Sequence, residues 1–467
     1  MPTAIHIRRV AIAFLGALGW TRVIDPDTPW NLRVGELIVA TGSLPTSDPF
    51  SYTSHQPWLL HEWLSEVVLA IAFRAGGWVA LAALQSAVLA ATVTAVLWGT
   101  RDDAEAAPAT PTRALIEIAP VVPLVLVLRE AFSPRATLFA IPLFAAMLAL
   151  CTRLARTQRA AWWLLPLCGV VLTQVHGGNP EGVALVGLLA LSTGRPAWFG
   201  LAALMALATC VGPHGWHVHA HVFSLRGSMG SIREWQPLYK LLERGSHVYL
   251  LVPLAMVAAV IALGVRRSRR EALAGGWLFA ALCLALWTAL AWRYQRFAIQ
   301  ASIVATVCVL PVWRAWIRQE RFIAPRVATL AIVLVSLGAL TTSDRRAGHG
   351  LQPARFPEGA VAYLRAHTPR GPMFNSYNFG GYLLWAWSAE RVFIDGRAVT
   401  VYAPEHIATL EAVYADPSRF VALERKWGFH LAVVQKPGRA AGLYRWLLAS
   451  PDWRLVYEDA LAAVFTR

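Results

Sequence analysis

Two aspartates on either side of a proline, Asp25-Pro26-Asp27, open the first polar segment of the chain. Two carboxylates at that spacing can share a divalent cation (Mg2+ or Mn2+) on an extended or turned backbone, which the proline keeps out of a helix. One of them can instead be the base for a substrate hydroxyl, or the pair can mark a membrane boundary and cap the next helix. His61-Glu62 stands at the start of an apolar helical run with Glu66 four residues on, as part of a ligand set or as an ordinary helix start. In His176-Gly177-Gly178-Asn179-Pro180-Glu181 the glycines let a ligand approach the backbone closely. Arg129-Glu130 with Arg135, Arg233-Glu234, and Arg293 with Arg296 add charge at other turns. A guanidinium fork pairs bidentately with phosphate oxygens, so Arg293 or Arg296 suits the phosphate of a lipid carrier, or else snorkels to headgroups.

Apolar segments must hold these residues in place. The chain has 467 residues, 57% hydrophobic and 15% charged, with a mean hydropathy of +0.48. A water-soluble domain needs no such surplus, so the composition selects an integral membrane protein. A span takes about 20 apolar residues, fewer inside a bundle. On that measure spans fall at 7–24, 78–98, 114–128, 136–150, 162–175, 182–191, 197–211, 248–265, 274–292, 297–312 and 327–340. Trp78, Trp98, Trp162, Trp292 and Trp313 stand at their ends, where interfacial belts form.

The formal net charge of +15 gathers beside these spans. Arg8, Arg9, Arg101, Arg113, Arg153, Arg156, Arg159, Arg195, Arg266, Arg267, Arg269, Arg270, Arg314, Arg318, Arg321 and Arg326 all fall on one side when the spans are counted. The positive-inside rule makes that side cytoplasmic, N-terminus included, and eleven spans leave the tail outside. Carboxylates and histidines gather on the outer side, Asp102, Asp103, Glu105, Glu117, Glu271 and Glu320 excepted. Ionisable groups at a membrane are costly and mark function by default, so chemistry is expected on the outer face. The first apolar segment carries no small-residue cleavage site and is expected to stay as a span. Five cysteines lie in or at the ends of spans, which supports neither a disulfide framework nor a zinc site. The basic charge serves the membrane, and no nucleic-acid partner is expected. No Gly-x-x-x-x-Gly-Lys loop is present, against a nucleotide-driven pump.

After residue 342 the pattern changes. Strand-like runs at 373–375, 391–394, 431–434, 455–457 and 462–466 alternate with helical stretches at 358–367, 404–414, 417–426 and 439–448. That alternation predicts a small α/β domain with a partly parallel sheet. The expected fold is thus an α-helical membrane bundle over 1–342, with a first outer loop at 25–61, and an extracytoplasmic α/β domain over 343–467. Within the loop a short interfacial helix is expected at 31–40, and Gly76-Gly77 separates the helical run 63–73 from the second span. In the tail, Asn375, Tyr377 and Asn378 precede a Gly-Gly pair, and Asp395-Gly396-Arg397 follows an apolar run. Such groups suit a sugar ring with its C–H face and hydroxyl edges, or a tight turn with Asp395 and Arg397 paired internally.

The run Asp25-Pro26-Asp27-Thr28-Pro29-Trp30-Asn31-Leu32, with Gly35-Glu36-Leu37-Ile38, Gly42-Ser43-Leu44-Pro45, Asp48-Pro49-Phe50-Ser51-Tyr52-Thr53 and His61-Glu62-Trp63-Leu64, resembles a group of bacterial membrane proteins in the GT-C glycosyltransferase superfamily. His176-Gly177-Gly178, Glu234-Trp235, Arg296-Phe297, the run from Asn375 to Tyr382 and Ile394-Asp395-Gly396-Arg397 fit the same group. The resemblance implies a multi-pass enzyme of the bacterial inner membrane. Its donor is a sugar on a polyprenyl phosphate or diphosphate, and its acceptor a glycan, lipid or protein. Asp25 or Asp27 is then catalytic, deprotonating the acceptor hydroxyl or holding the divalent cation. His61 and Glu62 are neighbours in that site, and Arg293 or Arg296 grips the leaving phosphate. Glu130, Arg135, His176, Glu234, Asn375, Tyr377, Asn378, Asp395 and Arg397 are the further substrate-binding candidates. The group carries His where this chain has Asn31, which weakens metal binding here if that His is a ligand elsewhere. The alternative reading is a non-catalytic scaffold or transporter of envelope glycan assembly; nearly charge-free span interiors count against a transporter. One site requires Asp25, Asp27, His61, Glu62, Arg293 and Arg296 to converge.

Overall fold

The computed structural model describes residues 4–54, 57–101, 110–157, 160–176, 180–224, 233–243, 247–268, 275–319, 323–369, 371–388 and 390–467. Expectations for Gly177, Gly178 and Asn179, and for the charges at Asp102, Asp103, Glu105, Arg159, Arg269, Arg270, Glu271, Glu320 and Arg321, fall outside these described residues.

Helix α1 (Ala4–Ala17) leads into the first loop, where α2 (Asp27–Thr41) forms. The loop helix starts four residues before the predicted position because Asp25 Oδ1 accepts the Asp27 amide at 3.0 Å, turning the chain at Pro26. It ends at Gly42, whose φ of 65° is the left-handed conformation that closes helices. Helix α3 (Trp63–Gly99) bends at Gly76-Gly77, as the glycine pair predicts. Gly77 has φ 58° and ψ −144°, which a side chain would strain. The bend sends the first half of α3 against α2, where a Cβ on Gly35 would collide with the Glu66 carbonyl. The second half packs on α1 and on α6, with Gly16 against Ala90 and Gly99 against Ala149.

The predicted span 114–128 is two short helices, α4 (Pro111–Ile118) and α5 (Val121–Ala131), broken at Ala119-Pro120. Proline has no amide hydrogen to continue the ladder. There follow α6 (Thr137–Thr157), α7 (Leu164–His176), α8 (Glu181–Thr193), α9 (Pro196–Ala208), α10 (His217–Ser224), α11 (Leu238–Leu242), α12 (Leu251–Ser268), α13 (Gly275–Arg293), α14 (Ala298–Gln319) and α15 (Ile323–Leu340). Among the described residues, five helical stretches, Trp63–Gly99, Thr137–Thr157, His247–Arg266, Gly276–Arg293 and Gln295–Arg318, are long and apolar enough to cross a membrane. Val10 and Phe14 of α1, Leu254, Val257 and Ile261 of α12, and Leu330, Leu334 and Leu337 of α15 are exposed. Apolar faces turned outward are what a lipid solvent accepts. The interior is packed from α5, α6, α13 and α14, with the buried Trp287 ring 5.3 Å from that of Phe144.

The tail carries one four-stranded sheet in the order β1-β2-β4-β3. Strands β1 (Met373–Asn375) and β2 (Leu431–Gln435) are parallel, and β3 (Arg454–Glu458) and β4 (Ala462–Thr466) complete it in antiparallel fashion. Helices α16 (Glu358–His367), α17 (Tyr377–Ala386), α18 (Pro404–Ala415), α19 (Phe420–Trp427) and α20 (Ala441–Ala449) surround it. The run 391–394 is not the strand its apolar pattern predicts. Its backbone groups are taken elsewhere: Phe50 O accepts the Val392 amide at 3.0 Å, and the Asn375 side chain bonds Phe393 N at 2.8 Å and Ile394 O at 2.7 Å.

First loop and tail share one hydrophobic core. Trp30, Val34, Ile38, Trp58 and Leu60 are buried in the same cluster as Phe374, Phe379, Tyr382, Phe393 and Tyr402. Each such side chain taken from water stabilises the packing by about 1.5–3 kcal/mol. Bridges from Thr21 to Ala347, Val23 to Leu351 and Ser51 to Val392 stitch the two segments together. The loop that the sequence groups with the bundle is therefore shaped by the tail.

Candidate active site

Arg135, in the turn between α5 and α6, organises the acidic end of the cluster. Its Nε lies 3.3 Å from Asp25 Oδ2, its Nη1 lies 3.3 Å from Asp27 Oδ2, and its Nη2 pairs with Glu234 Oε1. The two aspartates differ. Asp25 uses both oxygens, one on Arg135 and one on the Asp27 amide. Asp27 Oδ1 faces Gly396 and the Trp30 indole nitrogen, so closely that a Cβ on Gly396 would collide with it. Burial pushes the Asp27 carboxyl up, the Asp25 carboxylate adds to the rise, and Arg135 with the Trp30 N–H offsets it only in part, leaving it at about 8. Arg135 instead pulls Glu234 down to about 2.

A second group adjoins the first. Glu62 Oε1 lies 3.3 Å from His176 Nδ1 and 3.5 Å from His61 Nε2. Burial alone would lift Glu62, but His176 and His61 outweigh it and hold this carboxylate below its usual range. Arg296 Nη2 donates to His176 Nε2 at 3.4 Å, so the proton of a neutral His176 resides on Nδ1, facing Glu62. The Arg296 guanidinium also lies 4.4 Å over the Trp235 ring. Arg296 and His176 both act electrostatically on Glu234, which joins the two groups into one polar cluster.

No protein-family model matches this sequence, and no curated protein matches it. Solved structures do match. The archaeal oligosaccharyltransferase AglB from Archaeoglobus fulgidus, in complex with an inhibitory peptide and a dolichol-phosphate, is 12% identical at a TM-score of 0.60, covering 92% of this chain and 69% of its own. ArnT from Cupriavidus metallidurans, bound to undecaprenyl phosphate, is 12% identical at a TM-score of 0.55, covering 98% of this chain and 96% of its own. The mycobacterial arabinofuranosyltransferase AftD is 13% identical at a TM-score of 0.55, and this chain spans 39% of it. The fold resembles that of GT-C glycosyltransferases.

On this GT-C-like fold the predicted residues separate into those that meet and those that do not. Asp25, Asp27, Arg135, Glu234, Arg296, His176, Glu62 and His61 meet. Tyr377, the first residue of α17, borders them: burial pushes its phenol up, and the charges of Asp27, Asp395 and Glu234 add to that. Arg293 does not join; it is exposed, its guanidinium 4.9 Å over the Tyr294 ring. Glu130 pairs with Arg129 at 3.3 Å and with Ser343, at the joint between α5 and the start of the tail. Asn378 is exposed and donates to Gln435 at 3.2 Å. Asn375 spends its amide on the backbone of Ile394 and Phe393. Arg397 pairs with Asp395 and also with Asp48, which realises the internal-turn alternative for this motif.

Sequence reasoning missed two neighbours. Gly396 roofs Asp27, and only its position in a three-residue turn between charged partners hinted at a need for bare backbone. Arg345 is buried, donates to Glu130 O at 2.9 Å and Ser133 Oγ at 2.8 Å, and acts electrostatically on Asp25. Nothing in Asp344-Arg345-Arg346 sets it apart from a solvated charge run. A cation shared by Asp25 and Asp27 fits this arrangement poorly. The guanidinium of Arg135 stands between their Oδ2 atoms, and among the described residues no group of three His, Cys, Asp or Glu is placed to hold a metal.

Proposed function

We propose that this protein is a membrane glycosyltransferase of the GT-C type. It moves a sugar from a polyprenyl-phosphate-linked donor to an envelope glycan, lipid or protein acceptor, on the extracytoplasmic face of a bacterial inner membrane. The observation that carries this reading is one polar cluster with a carboxylate held by Arg135 at one end, Asp27, and a stacked arginine at the other, Arg296. Asp27 is the base: its carboxyl, at about 8, is protonated in most molecules at neutral pH, and the ionised minority is a strong base that holds a proton firmly once taken. As the acceptor oxygen bonds to the sugar's anomeric carbon, its proton passes to Asp27. The bond to the carrier phosphate breaks, and the electron pair leaves with the phosphate, inverting the anomeric centre. Arg296, aimed by His176 and Glu62, meets the charge that grows on that phosphate. The carrier phosphates in the AglB and ArnT structures agree in kind with such a donor. Asp25, with both oxygens engaged, serves as the bracket that holds Asp27.

The test is sugar transfer in proteoliposomes supplied with a panel of polyprenyl-phosphate sugars. Wild type is expected to transfer, Asp27→Asn to lose about 100-fold or more, and Asp25→Asn to lose less. Wild-type inactivity across the whole panel, with the protein folded, would sink the reading.

A further inference from the structure

We propose that Arg135 is a built-in substitute for a divalent cation: it occupies the place between Asp25 and Asp27 that Mg2+ or Mn2+ would take, so that this site binds neither.

Three of its nitrogens are committed to three carboxylates. Nε faces Asp25 Oδ2 and Nη1 faces Asp27 Oδ2, each at 3.3 Å, while Nη2 pairs with Glu234 Oε1. The two Oδ2 atoms are the ones a bridging cation needs. The other Asp25 oxygen accepts the Asp27 amide at 3.0 Å, and Oδ1 of Asp27 lies under Gly396 beside the Trp30 indole. A hard cation such as Mg2+ requires about six oxygen ligands in a near-octahedral shell, and with Arg135 in place both Oδ2 atoms already face its guanidinium. Additional ligands cannot be borrowed from next door. His61, His176 and Glu62 are engaged with one another, and His176 also accepts from Arg296.

Arginine suits this task better than lysine. Its planar fork presents several donors in fixed directions and stays charged at any physiological pH. Lysine is a point charge on a flexible stem, with its three donors on a single atom, and lacks the fixed directions of the fork. Arg135 also donates from Nε to Thr137 Oγ1 at 3.2 Å, which sets the plane of the guanidinium at the first residue of α6. Arg135 thereby acts as a positioning residue: it orients Asp27 and offsets part of the repulsion from Asp25 and Glu234.

Removing the guanidinium should convert the site. Asp25, Asp27 and Glu234 would then face a vacancy with oxygen ligands of the kind Mn2+ and Mg2+ prefer. The inference rests on the site proposed above but its test needs no sugar donor, so the two fail separately. Full-length protein stripped with EDTA is dialysed into Mn2+, and free Mn2+ is counted by electron paramagnetic resonance. Wild type is expected to take up no specific equivalent at about 100 μM Mn2+, a level at which sensor-class oxygen sites fill. Arg135→Gln is expected to take up one equivalent, which Asp27→Asn in the same background removes. One saturable equivalent on wild type, lost in Asp27→Asn, would overturn the proposal even if Arg135→Gln does not fold.

Discussion

Two arginines in this molecule each hold acidic partners, and they do so differently. Arg397 is dry: its side chain is 1% exposed and that of Asp395 is 0%. It reaches Asp48 at 2.6 Å and Asp395 at 2.6 and 2.9 Å, while the Tyr402 hydroxyl donates to Asp395 at 2.7 Å. Burial would lift Asp395, but Arg397 outweighs it and holds this carboxylate low. Arg135 is 23% exposed, its contacts to Asp25 and Asp27 stretch to 3.3 Å, and Asp27 sits at about 8. One cluster has two acids on one cation and short bonds; the other has three acids on one cation and longer contacts to both aspartates. The first builds structure and the second, on the function proposed above, holds the base for proton transfer, although the residue types are the same.

That contrast can be broken at either end. Arg397→Met leaves Asp48 and Asp395 unpaired in the core and is expected to cost about 3–5 kcal/mol. The readout is thermal unfolding in detergent, with limited proteolysis reporting release of the tail. A variant that keeps its unfolding midpoint but loses transfer would erase the distinction between the clusters.

Gly396→Ala probes where the two clusters touch. The new methyl collides with Asp27 Oδ1, and overpacking of this kind costs about 1–3 kcal/mol. Transfer is expected to fall more than stability does, because the displaced group is the base. Equal transfer by Gly396→Ala and wild type would remove Asp27 from the reaction.

A third test is the pH dependence, which sets Asp27 apart from Asp395: one carboxyl is raised and the other lowered. Asp27 has its folded value raised from 3.8 to about 8, so between those values the folded chain holds a proton that the unfolded chain has lost. Stability from this group therefore declines as pH climbs from about 4 to about 8, while transfer rises as the base form fills. Asp27→Asn should flatten the stability slope in that window. An unchanged slope would place the proton on another group.

Much of the architecture was legible in the chain. The helix at 358–367 and the strands at 373–375 and 462–466 fall where local pattern puts them, because period and flanking turns are local signals. The Gly76-Gly77 bend was legible for the same reason. The choice between Arg293 and Arg296 was not. Arg293 closes α13, while Arg296 lies in the short turn Gln295–Phe297, and the rotation between them depends on packing against Trp235. Nor could sequence tell that Arg397 would spend its charge on Asp48, 349 residues away. An Asp-Gly-Arg run looks alike whether it grips a ligand or the chain itself. The same blindness hid the strand-like 391–394 run, whose hydrogen bonds go to a loop and an asparagine side chain.

The common core of loop and tail also sets an order of events during synthesis. Trp30 and Trp58 are made early, whereas Phe393, Val433 and Phe465, which complete their packing, are made far later. Until the tail is made, the segment bearing Asp25 and Asp27 lacks the surface it packs against in the folded protein. Gly396, which roofs Asp27, belongs to that later segment, so the surroundings of the carboxylates are completed by chain made long after them.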